Sequence, residues 1–164
     1  MVKLALALLL LPTFGIAEPQ AAYQPLAFLA GHCWKGEFPG GKASDEHCFS
    51  WMFGGQFLRD VHTVRSDGRP DALGETIYFW DPGEKRLQYL YVESDGGHSL
   101  GGVTTDRDNL VFPETSLIDN GQKQVYRSRW VRTGPDAYEV VTEFKLQDRW
   151  APGFKIHMLR QAAK

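Results

Sequence analysis

The only two cysteines of the chain lie in "GHCWKGEFPGGKASDEHCFSW" (31–51), and each directly follows a histidine. Paired His-Cys dipeptides raise three chemistries: a tetrahedral metal centre, a redox couple, or a disulfide with histidines beside it. Four other stretches carry groups of interest. In "GGQFLRDVHTV" (54–64), Asp60 and His62 share one face of a strand, where a carboxylate can orient an imidazole for base catalysis; a solvated outer face is the alternative. Glu75, in "GETIYFW", would have a raised pKa if it were buried in an apolar interior. Arg127 and Arg129 alternate with Tyr126, Ser128 and Trp130 in "QVYRSRWVR" (124–132). Turned inward they would hold a ligand's carboxylate; turned outward they would face Glu139 or Glu143 across the sheet. His157 stands alone in "FKIHMLR" (154–160). No phosphate-binding glycine loop, nucleophile elbow, His-x-x-x-His pair or calcium loop occurs, so no cofactor or metal is called for.

The elements that must position these groups are short strands. Alternating runs rich in aromatic and β-branched residues recur at 31–38, 44–52, 56–65, 73–81, 86–93, 98–104, 109–113, 123–132, 137–146 and 153–160. Turn sequences such as "PGGK", "SDGRPD", "DPGEK", "DNGQ" and "TGPD" separate them, and only "QPLAFLAG" reads as a helical turn. The fold class is therefore all-β, an antiparallel up-and-down meander of about ten strands. A meander of that length closes into a barrel because closure removes its exposed edges. A two-sheet sandwich needs long crossovers, and only 114–122 offers room for one.

The first hairpin separates the His-Cys chemistries. Directly opposed residues of an antiparallel pair have a constant index sum. A turn centred on Gly40-Gly41 therefore sets Cys33 against Cys48, Lys35 against Glu46, and Trp34 against His47. Neighbouring strand residues point to opposite faces, so His32 and Cys33 cannot reach one ion, nor can His47 and Cys48. A Cys33–Cys48 disulfide is expected, with His32, Trp34, His47, Phe49 and Trp51 together on the other face. The second long hairpin, about Pro82-Gly83, is expected to set Tyr78 against Leu87 and Thr76 against Tyr89.

Residues 1–17, "MVKLALALLLLPTFGIA", have the pattern of a secretory signal peptide: Lys3, an apolar run, and small residues at 15 and 17 before the cleavage point. A periplasmic or secreted protein follows, a compartment in which thiols oxidise. Residues 18–164 then form a single domain. Removing Lys3 takes the formal charge from −2 to −3, and the basic residues are scattered, which argues against a nucleic-acid partner. No second segment reaches membrane-spanning length.

"PLAFLAGHCWKGEF" followed by "GGQFLRD" resembles bacterial lipocalin-like proteins of unknown function, which are calycin-type barrels with nitrobindin-like haem barrels as distant relatives. The resemblance implies a barrel over residues 25–160, with Trp34 similar to the tryptophan that crosses a lipocalin floor. It carries over no catalytic residue. The function expected is binding of a small hydrophobic or amphipathic ligand by a monomer, with Trp34, His47, Phe49, Trp51, Arg127 and Arg129 at the site. The alternatives are an isomerase, cyclase or lyase using Asp60, His62, Glu75 or His47, and a haem barrel using His32, His47 or His157.

Overall fold

A computed structural model describes residues 21–162; the segment read as a signal peptide lies outside the described residues. Each alternating run forms a strand: β1 (Cys33–Glu37), β2 (Ala43–Met52), β3 (Phe57–Ser66), β4 (Ala72–Asp81), β5 (Arg86–Glu93), β6 (His98–Asp106), β7 (Asn109–Asp119), β8 (Gln122–Gly134), β9 (Ala137–Leu146) and β10 (Arg149–Arg160). Every strand pairs antiparallel with its chain neighbours, and β1 pairs with β10, so the sheet closes into an up-and-down barrel. No described helix is long and apolar enough to cross a membrane.

The first hairpin has the register that its glycine turn predicts, Cys33↔Cys48, Trp34↔His47 and Lys35↔Glu46. Cys33 and Cys48 are joined by a disulfide, with their Cα atoms 4.0 Å apart. Closing a loop of this length contributes about 3 kcal/mol in the chain-entropy model. Two local expectations need correction. Residues 114–119 are not a connection, because β7 continues through them, and a bulge between Phe112 and Thr115 takes up Pro113, which has no N–H to give the ladder. The β4–β5 hairpin is also shifted by two residues: Tyr78 faces Tyr89, Thr76 faces Tyr91 and Trp80 faces Leu87. Asp81 causes the shift. Its Oδ1 accepts from the N–H groups of Gly83 (2.8 Å) and Glu84 (3.1 Å), building an Asx turn that recentres the loop.

One barrel end is closed. A 3₁₀ segment (Ala21–Leu26) and the residues after it set Tyr23, Leu26 and Leu29 under the barrel, all fully buried. The Tyr23 hydroxyl donates to the Gln56 carbonyl and accepts from the Trp80 N–H (2.8 Å), tying the plug to the β2–β3 turn and to the end of β4. Trp34 lies above it, fully buried, and donates Nε1–H to the Leu29 carbonyl at 3.3 Å. Trp34 is thus part of a floor.

Candidate functional site

Above the floor the interior is open, with a cavity of about 340 Å³. Small-molecule sites start at about this size. Most of its wall is apolar and aromatic, including Tyr89, Phe112, Trp130, Val140, Phe154 and Ile156. Its mouth lies at the end that carries Phe38, Leu73 and Asp95.

The polar part of the wall comes from β2 and β3. Inward positions on a strand recur every second residue, so Asp45 and His47 face in from β2, and Asp60 and His62 from β3. The pairing sets His47 directly against His62 and Phe49 against Asp60. His47 is held at both ring nitrogens: Nδ1 lies 2.7 Å from Asp60 Oδ2, and Nε2 lies 3.0 Å from Asp45 Oδ2. Asp60 is 1% exposed, and both Asp45 and His47 are 8% exposed. The His62 ring stands edge-on to His47, with centroids 4.7 Å apart. Its Nε2 is 3.1 Å from the Tyr91 hydroxyl, which donates to Glu93 Oε1 at 2.7 Å.

These contacts decide the charge states. Burial by itself pushes the His47 imidazolium down, but Asp60 and Asp45 outweigh it and bring its pKa up to about 10. Asp45 is pushed up by burial, but His47, His62 and the Glu46 backbone N–H together outweigh that, so its carboxyl lies below the ordinary range. His62 is lowered, first by burial and then by the positive His47 beside it, and it remains neutral near pH 7. The wall therefore presents one imidazolium between two carboxylates, and one neutral imidazole. Two oxygens, Asp45 Oδ1 and Asp60 Oδ1, are buried without a hydrogen-bond partner among the described residues. None of the described residues lining the cavity is a lysine or arginine.

Of the six residues expected to bind ligand, only His47 lines the cavity. Phe49 stacks behind His47 at 6.0 Å, Trp51 packs on Tyr23 at 5.7 Å, and Trp34 is in the floor. Arg127 and Arg129 point outward, paired with Glu143 (2.6 Å) and Asp106 (2.7 Å), and Arg127 also covers the Trp150 ring. The carboxylate clamp is therefore not formed. Glu75 is on the outer face with Arg59 at 2.6 Å, whereas Asp60 and His62 are inside. Among the histidines considered for haem, His32 and His157 are exposed. Sequence reasoning left Asp45 out of the site altogether, along with the tyrosine row of Tyr89, Tyr91 and Tyr126.

No protein-family model matches the chain, and no curated protein matches it. The closed ten-stranded antiparallel barrel is compatible with a lipocalin-like fold.

Proposed function

We propose that this is an exported barrel that binds a small, largely apolar molecule, with its polar end against Asp45, His47 and His62. The observation that carries this reading is the cavity itself, an aromatic enclosure with one convergent polar wall. Export is supported by the signal-peptide pattern of residues 1–17 together with the disulfide. The charge of the wall narrows the ligand. With carboxylates and no lysine or arginine among the described residues that line the cavity, an amine or a hydroxyl is favoured over a carboxylate at the polar end.

Titration with dodecylamine, dodecanol and laurate tests this, read by tryptophan fluorescence because Trp130 lines the cavity. Saturable one-to-one quenching is expected for amine and alcohol, with laurate weaker by at least about tenfold, roughly 1.4 kcal/mol. Arg127→Ala and Arg129→Ala should change none of these affinities. Saturation by none of the three, or tightest binding of laurate, would overturn the reading.

A second reading, acid-base catalysis, is favoured by the meeting of His47, Asp60 and His62 on one cavity wall, with His47 hydrogen-bonded to Asp60 and in edge-on ring contact with His62. The neutral His62 is then the base, backed by Tyr91 and Glu93. Solvent deuterium should enter an enolisable ketone of cavity size with the wild-type protein and not with His62→Gln. Equal incorporation by both proteins would remove this reading.

A further inference from the structure

We propose that Asp45, His47 and His62 bind one divalent first-row transition ion on the cavity wall. The inference goes beyond organic-ligand binding and is tested without any organic ligand.

One donor atom from each of the three residues lies within 4.8 Å of the other two. Two imidazoles with one carboxylate suit zinc, iron, cobalt or manganese, whereas calcium and magnesium prefer oxygen throughout. One pair already has the spacing an ion needs, and His62 would close on it by a side-chain rotation. Ligand atoms about 2.0–2.1 Å from an ion in tetrahedral or octahedral geometry stand about 2.9–3.4 Å apart. His47 Nε2 and Asp45 Oδ2 are 3.0 Å apart, so an ion can take the place of the proton between them without moving the strands.

The surroundings match what a metal-bound histidine needs. Asp60 Oδ2, 2.7 Å from His47 Nδ1, fixes the tautomer that leaves Nε2 for the ion. A carboxylate behind a ligating histidine is the common arrangement at such sites. Asp45 keeps a second oxygen, Oδ1, buried and unpartnered at the cavity wall. Opposite His62, β4 carries Gly74, where a Cβ would stand 2.3 Å from His62 Nε2; the missing side chain is what makes room for this ring. All three residues line the cavity, so an ion they held would be open to it. The other mixed cluster, Cys33, Glu46 and Cys48, is closed by the disulfide. Glu93, Asp95 and Asp119 near the mouth are an acidic group that draws cations inward.

The test uses protein expressed from the full chain without a histidine tag, stripped with chelator, and titrated with Zn²⁺ by calorimetry and Co²⁺ by absorption. One ion per chain is expected. Asp45→Ala and His62→Gln should each weaken binding by at least about 100-fold, and Asp60→Asn by about 10–100-fold. The Co²⁺ form of the wild-type protein should show hyperfine-shifted proton resonances from two imidazoles, a readout that needs no variant to fold. Absence of saturable one-to-one binding, fewer than two shifted imidazoles, or undiminished binding in Asp45→Ala and His62→Gln would each overturn the assignment.

Discussion

His47→Leu is expected to destabilise the apo barrel by about 3–5 kcal/mol, the cost of removing one partner from a buried charge network. The imidazolium is the cation that makes Asp60, 1% exposed, and Asp45, 8% exposed, tolerable inside the barrel. Without it both carboxylates lose their named partner, and each already has one buried oxygen unsatisfied. Leucine fills the space, so the loss measures the stranded charge rather than a cavity. The diagnostic step is the second substitution. Adding Asp60→Leu to His47→Leu should recover part of the loss, because replacing a whole buried ionic group with apolar residues is often neutral. Urea unfolding with chelator present measures both. A His47→Leu cost under about 1 kcal/mol, or further destabilisation on adding Asp60→Leu, would show that the carboxylates do not depend on the imidazolium.

The fold was legible because its signals are local and agree with one another. Glycine turns punctuate alternating strands, and the Gly40-Gly41 turn carries enough register to pair Cys33 with Cys48. The site was legible only in part, and the reason is register. The next hairpin, whose turn contains Gly54-Gly55, obeys the same constant-index-sum rule as the one that pairs the cysteines. Applied there, the rule sets His47 against His62 and Phe49 against Asp60, which is the pairing observed. Since Trp34 and His47 share the inner face, Asp60 and His62 must share it too. Asp45-x-His47 and Asp60-x-His62 are then two copies of one Asp-x-His pattern on paired strands, a signal visible in the sequence. The metal question belonged to these i, i+2 pairs, which share a face, rather than to His-Cys neighbours, which cannot. The arginines were less decidable. Alternation puts Arg127 and Arg129 together on one face of β8, but apolar and polar residues on both faces leave its inward side open. The ion-pair partners settle it, since Glu143 and Asp106 are outside. The shifted β4–β5 register depends on how one side chain, Asp81, folds back on its turn.

Trp34→Ala should cost about 3–5 kcal/mol, the range for deleting a fully buried large aromatic. Trp34 packs edge-on against Tyr138 (5.1 Å) and Phe28 (6.0 Å), and its Nε1–H is the bond to the Leu29 carbonyl of the plug. Trp34→Phe keeps much of the ring contact and loses that bond, so about 1–2 kcal/mol is expected. Both values are read by urea unfolding. The two variants also separate the floor from the site. The cavity residues Asp45, His47 and His62 sit on β2 and β3, and Trp34 is not among the residues lining the cavity. Amphiphile affinity in Trp34→Phe should therefore stay within about twofold of wild type. Limited proteolysis should cut Trp34→Ala first between residues 21 and 31, where Leu29 loses its anchor while the β-ladder stays intact. A strong loss of amphiphile affinity in Trp34→Phe would instead make the tryptophan part of the binding surface. The β1–β2 hairpin would then contribute both its indole and its imidazole to the ligand.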